Sequence, residues 1–169
     1  MGKLQYAAHA FAWTTSWSND TLHLIDHTKE LGFDCIEIPL LEIEKIDPPK
    51  IKERLERVGL GVCVSTACAE ADDISSDDAE THKRGIEYLK QCVQAAHGIG
   101  ATCFSGVLYS AIGKKIDRMP DERYWDRAAT GLKEVAKMAA DLGVVLGIEP
   151  INRYETFLIN TCEQALRLL

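Results

Sequence analysis

Short apolar segments alternate with amphipathic helical segments along the whole chain, and this alternation restricts the folds that the chain can adopt. Five strand and helix pairs in this order predict a parallel sheet with right-handed crossover connections. The predicted strands occupy residues 6–13, 33–40, 59–66, 100–108 and 144–148. The predicted helices occupy residues 22–31, 50–58, 122–142 and 161–169, together with a long third helix that ends near residue 97.

The first predicted strand is not followed by a glycine-rich phosphate-binding motif, which argues against a dinucleotide-binding fold. We therefore predict an α/β fold of the (β/α) TIM-barrel type. A complete barrel of this type has eight βα units, whereas this sequence supplies about five. Residues 1–169 are accordingly expected to form a single, incomplete barrel domain.

Charge and hydropathy exclude several classes of partner. The chain contains 19 basic and 26 acidic residues, with a formal net charge of −7, so a nonspecific nucleic-acid or anionic-membrane partner is disfavoured. It lacks an apolar run of the roughly 18 to 20 residues that a membrane span needs, and its amino terminus lacks an apolar signal core. These features predict a cytoplasmic protein.

The six cysteines do not form a CxxC pair, and most of them fall within apolar strand or helix patterns. Such positions favour buried free thiols over a disulfide or a zinc site. We therefore expect the thiols to contribute to packing.

The fifth apolar segment, between Gly143 and Pro150, is expected to be a parallel strand buried on both faces. Glu149 follows it at once, and parallel α/β folds place their chemistry at the carboxyl ends of strands. A carboxylate there is expected to bind a metal or act in catalysis. The alternative is a structural ion pair between Glu149 and Arg153.

The segment 147–155, Gly-Ile-Glu-Pro-Ile-Asn-Arg-Tyr-Glu, is followed by Leu-Ile-Asn-Thr at 158–161. In these motifs the sequence resembles the ketose 3-epimerases, the D-tagatose, D-psicose and L-ribulose 3-epimerase group of the xylose isomerase-like barrels. Further segments resemble the same family in the same order: 9–13, 31–34 with Glu37, 73–76 and Gly106. The resemblance extends from about residue 6 to the end of the chain.

This resemblance implies a role for each matching residue. Glu149 would coordinate a divalent metal, usually manganese with magnesium or cobalt as alternatives, and would exchange the proton at carbon 3 of a free ketose. Glu155 would accept a hydrogen bond from a terminal hydroxyl of the sugar. The remaining candidates are expected to line the sugar pocket (Gly106, Ser65, His9, Phe11 and Trp13) or to hold the loop and the carboxylates (Asn152 and Arg153).

The chemistry requires such groups because the proton at carbon 3 is only weakly acidic. A metal bound to the neighbouring oxygens would stabilise the enediolate as it forms. A carboxylate on each face of the sugar would then remove and return the proton with inversion.

The sequence departs from the family pattern in its length. Family members are nearly complete barrels of about 250 residues or more, and their later strands supply an aspartate, a histidine and a second glutamate to the metal site. With Glu149 the family site has four ligands. Only Glu149 is present here, so the chain alone is expected to lack activity. Its open sheet edges are expected to promote assembly into a homo-oligomer or association with another chain.

Other interpretations of the sequence stay open. The chain can be a truncation, a fragment or a half that completes itself with a second copy. It can also represent a different xylose isomerase-like isomerase or dehydratase, or a noncatalytic partial barrel. Glu37 is as well suited to the sugar pocket as to a paired charge at the rim, and the acidic segment 70–78 favours a solvated loop over a metal site.

Overall fold

The computed structural model describes residues 4–169, which form one curved layer of parallel strands covered by helices. The strands are β1 (Ala7–His9), β2 (Cys35–Pro39), β3 (Gly61–Cys68), β4 (Cys103–Ala111) and β5 (Val145–Ile148). The helices are α1 (His23–Glu30), α2 (Pro48–Val58), α3 (Ala79–Ile99), α4 (Glu122–Asp141) and α5 (Cys162–Leu168).

The strand order in the sheet is β1-β2-β3-β4-β5, and every pair of neighbours is parallel. Each strand therefore pairs with the next strand in the sequence, as in the wall of a βα barrel. The prediction of an α/β fold with five βα units is confirmed.

The hydrophobic core lies between the sheet and the helices. Alternate residues of a strand face opposite sides of the sheet, so Ile36 and Ile38 of β2 share a side with Val64 of β3 and Phe104 of β4. All four are fully buried. The intervening residues, which include Glu37 and Ser65, face the other side, where a barrel has its interior.

The first strand is shorter than the predicted segment 6–13. β1 ends at His9, and residues 10–12 form a 3-10 helix. The side chain of His9 accepts a hydrogen bond from the Phe11 backbone N–H, which caps this helix and bends the chain away from the sheet.

The prediction that the fifth strand is buried on both faces was wrong. Val145 is 66% exposed, and the other residues of β5 are only half-buried. Within residues 4–169, β5 pairs with β4 alone and forms an edge of the sheet. The apolar run predicted a strand, but it did not reveal whether a second strand pairs with β5 on its other side.

All six cysteines are free, as predicted, but only Cys68 and Cys92 are buried; Cys162 is exposed and the other three are half-buried. Across the part of the chain that the structure describes, no helix combines the length and the apolar character needed to cross a bilayer.

Candidate active site

A cavity of about 640 Å³ opens at the carboxyl ends of the strands. Parallel βα folds bind their ligands at this end, because the loops that follow the strands meet there. Six residues singled out in the sequence line the cavity: His9, Phe11, Glu37, Ser65, Glu149 and Glu155. The fold thus brings together side chains that are up to 146 positions apart in the sequence, from His9 to Glu155.

Glu149 is held in place through its backbone. Its N–H donates a hydrogen bond to the carbonyl oxygen of Gly106, at 3.1 Å. On the other side, the Tyr109 hydroxyl lies 3.1 Å from the Glu149 carbonyl oxygen and 3.0 Å from that of Ile159. The Glu149 residue is exposed to the cavity, so its carboxylate does not need a buried cation.

The alternative ion pair between Glu149 and Arg153 is not formed. Arg153 is exposed, and none of the ion pairs among residues 4–169 includes it. The structure therefore does not place Arg153 against the carboxylates that it was predicted to hold. Asn152 does bind its own loop: its side-chain oxygen accepts from the Tyr154 N–H at 3.0 Å, and its carbonyl oxygen accepts from the Glu155 N–H at 3.1 Å.

Gly106 acts through the backbone rather than as part of the cavity lining that the sequence predicted. Its φ angle is +126°, and a Cβ atom at this position would lie only 2.0 Å from the Thr66 carbonyl oxygen. Only glycine accepts both conditions without strain. Gly106 therefore allows β4 to approach β3 closely while its own carbonyl oxygen receives the Glu149 N–H.

Trp13 also lies outside the cavity lining. Its ring packs edge-on against His27 of α1, with the ring centroids 5.2 Å apart. The 3-10 helix that follows β1 turns Trp13 toward the helical layer, whereas Phe11 stays at the cavity.

His9, Glu37 and Ser65 form a polar cluster on one wall of the cavity. The Nε2 atom of His9 lies 3.3 Å from Ser65 Oγ and 3.5 Å from Glu37 Oε1. Because His9 Nδ1 accepts from the Phe11 N–H, the neutral imidazole carries its proton on Nε2, where these two oxygens can accept it. Glu37 thus lies beside His9 and also lines the cavity, and its role in the sugar pocket stays a prediction.

Thr66 and Tyr88 line the cavity and were not recognised in the sequence. Tyr88 O–H donates to the Leu40 carbonyl oxygen at 3.1 Å, and the Thr66 hydroxyl lies 2.5 Å from the same phenol oxygen. Burial raises the pKa of Tyr88 well above its usual range, and the nearby Cys92 adds to the shift. Thr66 adjoins the predicted pocket residue Ser65, but Tyr88 carries no sequence signal because it lies in the middle of α3.

The charge of the cavity is predominantly negative. Among residues 4–169, four carboxylates line it, from Glu37, Asp72, Glu149 and Glu155, whereas neither lysine nor arginine does. Among residues 4–169, however, no three His, Cys, Asp or Glu side chains are placed to hold a metal ion together. These residues by themselves do not form a metal site, and Glu149 is the single ligand that the sequence predicted.

Comparison with known proteins agrees with this architecture. The chain is 34% identical to a ketose 3-epimerase of Arthrobacter globiformis over 98% of its own length and 57% of that protein. It is 33% identical to an L-ribulose 3-epimerase of Mesorhizobium japonicum, over 95% of this chain and 54% of that one. The chain thus spans little more than half the length of these relatives.

Solved structures give the same result. A structure of L-ribulose 3-epimerase superposes with a TM-score of 0.92 at 32% identity, covering 99% of this chain and 56% of that chain. The D-allulose 3-epimerase of Methylomonas sp., in complex with D-allulose, superposes with a TM-score of 0.93 at 30% identity, covering 98% and 58% of the two chains. The family described as xylose isomerase-like TIM barrel matches residues 25–169, and this chain belongs to that family.

Proposed function

We propose that this chain is part of a ketose 3-epimerase, an isomerase that inverts carbon 3 of a free ketose by proton exchange through an enediolate. The observation that carries the proposal is the position of Glu149. Its carboxylate follows β5, faces the cavity at the carboxyl ends of the strands and shares that cavity with Glu155. The relatives named as ketose 3-epimerase and L-ribulose 3-epimerase support it.

In this proposal Glu149, whose side chain is exposed to the cavity, acts as the base that removes the proton from carbon 3. A second group, from outside residues 4–169, has to return a proton to the opposite face of the sugar. Glu155 accepts a hydrogen bond from a terminal hydroxyl and so sets the position of the sugar chain. Ser65 and His9 Nε2, which lie 3.3 Å apart, offer polar contacts to other hydroxyls.

The charge of the cavity supports a free sugar over a sugar phosphate. In the part of the cavity that residues 4–169 form, a phosphate group would face four carboxylates without a lysine or an arginine to neutralise it. An uncharged polyol, in contrast, gains hydrogen bonds from the same oxygens.

We also propose that the whole protein uses a divalent metal, manganese in the first place, with magnesium or cobalt as alternatives. Oxygen ligands such as the Glu149 carboxylate suit these ions. The described residues do not fit a complete site, because a single carboxylate holds a divalent ion weakly. Further ligands have to come from residues outside 4–169 or from another chain, and we assign no chemical step to the metal.

The test compares two proteins: the 169-residue chain, and a completed fusion in which the remaining carboxyl-terminal portion of the Arthrobacter globiformis enzyme follows Leu169. Each is incubated with manganese and D-fructose, D-tagatose or L-ribulose, and the products are separated by chromatography. We expect the fusion to form the carbon 3 epimer and the chain alone to form none. Replacing Glu149 with Gln in the fusion should abolish turnover, whereas Glu30→Gln, at an exposed position of α1, should leave it intact.

Two results would contradict the proposal. One is a folded fusion, verified by circular dichroism, that converts none of the ketoses. The other is undiminished turnover by Glu149→Gln. Turnover by the chain alone would instead refute the need for further ligands.

A noncatalytic ketose-binding half-barrel is the second candidate, and the lack of a three-residue metal cluster in 4–169 favours it. It predicts that the chain binds a ketose, measured by calorimetry, while the completed fusion remains inactive.

A further inference from the structure

Four side chains behind the cavity wall connect three of its loops. We call them the loop clamp: Asp73 from the loop after β3, Lys114 from the loop after β4, Tyr124 from the first turn of α4, and Phe157 from the loop after β5. They do not line the cavity. Any effect on a ligand must therefore pass through a residue that does.

Asp73 is the buried anchor of the loop clamp. Its side chain is only 2% exposed. One carboxylate oxygen accepts from the Ser75 N–H at 2.8 Å and from the Ser75 hydroxyl at 2.7 Å, and the other accepts from Lys114 Nζ at 2.6 Å. A carboxylate removed from water in this way depends on its cation, so the ion pair fixes Lys114 to the loop after β3.

Lys114 also contacts the loop after β5. Its Nζ atom lies 5.7 Å from the ring centroids of both Tyr124 and Phe157, within the range of a cation–π interaction. The two rings pack edge to face, with centroids 5.1 Å apart. Phe157 is thereby held against a lysine that Asp73 has already fixed.

Two contacts attach the segment that begins at Glu155 to the β4 loop. Gly113, the residue before Lys114, donates its N–H to the Glu155 carbonyl oxygen at 2.7 Å. Phe157, two residues beyond Glu155, contacts Lys114 itself. The backbone is thus attached to the β4 loop at Glu155 itself and again at Phe157, directly after the carboxylate that faces the cavity.

We propose that the Asp73–Lys114 ion pair is a positioning device that fixes the Glu155 carboxylate in the cavity and so sets the affinity for the terminal hydroxyl of the sugar. This inference rests on the proposed function, since Glu155 receives its role there. The ion pair acts through Glu155 and makes no contact with the sugar.

The kinetic test uses the completed fusion and the variants Lys114→Met, Lys114→Arg and Lys115→Met. Lys115 is an exposed neighbour and serves as the matched control. We expect Lys114→Met to raise KM for the ketose about tenfold with kcat changed less than about threefold, the loss of roughly one hydrogen bond to the sugar. Lys114→Arg should restore most of the affinity, and Lys115→Met should resemble the unmodified protein.

A deoxy-ketose that lacks the terminal hydroxyl separates positioning from general damage. Its KM should be the same in the unmodified fusion and in Lys114→Met, because the contact to Glu155 is missing in both. A tenfold rise in KM for the deoxy sugar as well would overturn the inference.

A second measurement covers the case in which an unpaired Asp73 prevents folding. The double variant Asp73→Asn/Lys114→Met removes both charges of the ion pair. Hydrogen exchange is measured on the 169-residue chain itself. We expect faster exchange of the amides at 155–158 than in Lys115→Met. Unchanged exchange there would refute the clamp, whereas a lack of turnover by the unmodified fusion would refute the proposed function and leave the exchange result valid.

Discussion

The backbone nitrogen of Glu149 lies 3.1 Å from the carbonyl oxygen of Gly106, on the neighbouring strand. The candidate base is therefore placed by the path of β4 and not by an ion pair. This bond continues the parallel β4–β5 ladder, in which Gly106 pairs with Ile148.

We predict that Gly106→Ala lowers the free energy of unfolding by about 2–4 kcal/mol, because the new Cβ would collide with the Thr66 carbonyl oxygen and the φ angle disfavours alanine. Urea denaturation measures the loss. In the completed fusion, kcat should fall as well, since Glu149 loses its backbone partner.

Gly32→Ala is the control for Gly106→Ala. Gly32 also has a positive φ angle, +86°, but a Cβ there meets no atom within 4 Å. Gly32→Ala should lower the free energy of unfolding by only about 1–2 kcal/mol and leave kcat unchanged. Equal losses of unfolding free energy in Gly106→Ala and Gly32→Ala would show that the close approach of Gly106 to Thr66 does not matter for stability.

The second prediction concerns Tyr109, whose hydroxyl lies within hydrogen-bonding distance of the carbonyl oxygens of Glu149 and Ile159. Tyr109→Phe removes only that hydroxyl: the Ile159 carbonyl oxygen keeps the Ile151 N–H at 3.3 Å, whereas the Glu149 carbonyl oxygen loses the Tyr109 hydroxyl. We expect a loss of about 1–3 kcal/mol in urea denaturation. In the completed fusion kcat should fall more than KM changes; a variant with unaltered kcat would contradict a role of Tyr109 in placing Glu149.

The sequence allowed the sheet and most of the site to be predicted for a simple reason. Apolar strands followed by amphipathic helices have few packing solutions, and parallel strands bring their carboxyl ends to one edge. Glu37, Ser65 and Glu149 each lie near such an end, so their meeting in one cavity followed from the topology.

The rest of the candidate site depends on backbone geometry, which the spacing of apolar residues in the sequence does not reveal. The family resemblance placed Trp13 at the pocket, but a 3-10 helix after β1 turns the residue toward α1. Tyr109 lies within an apolar strand, so only the folded structure shows that its hydroxyl contacts the carbonyl oxygens of Glu149 and Ile159. Lys114 and Asp73 are 41 residues apart, in loops whose relative position no local pattern predicts.

A third prediction concerns alkaline pH. Burial raises the pKa of Tyr109 to about 12 and shifts Tyr88 in the same direction. In the unfolded chain these phenols lose their protons near pH 10, whereas the folded chain keeps them. The unfolded state then binds fewer protons, so the contribution of these two phenols to the free energy of unfolding should be constant below about pH 10 and should decrease as pH rises above it.

Urea denaturation at a series of pH values, with phenolate absorbance recorded in parallel, tests this decrease. Tyr88→Phe removes one of the two groups and should make the decrease shallower. A stability that rises between about pH 10 and 12 would contradict the direction of both shifts.

The fourth prediction concerns the thiols. Burial raises the pKa of Cys92 to about 12 and that of Cys68 well above its ordinary value, so neither forms the reactive thiolate at neutral pH. Iodoacetamide should modify the exposed Cys162 first, and Cys68 and Cys92 only after unfolding. Mass spectrometry of digested protein identifies the order. Cys162→Ser should remove the fastest labelling, and equally fast labelling of Cys92 would show that the core opens readily.

The last prediction concerns the uncovered edge of the sheet. In residues 4–169, β5 pairs only with β4, and Val145 at its start is 66% exposed. Such an edge offers backbone groups and apolar surface to another strand, so we expect the 169-residue chain to self-associate as its concentration rises. A lysine at this position disfavours strand pairing, and Val145→Lys should shift the chain toward monomer in sedimentation velocity.

Leu31→Lys introduces the same charge at a 54% exposed leucine that follows α1, away from the sheet edge, and should leave association unchanged. Association driven by general apolar exposure would instead respond equally to both substitutions, and a chain that stays monomeric throughout would show that this edge is already protected.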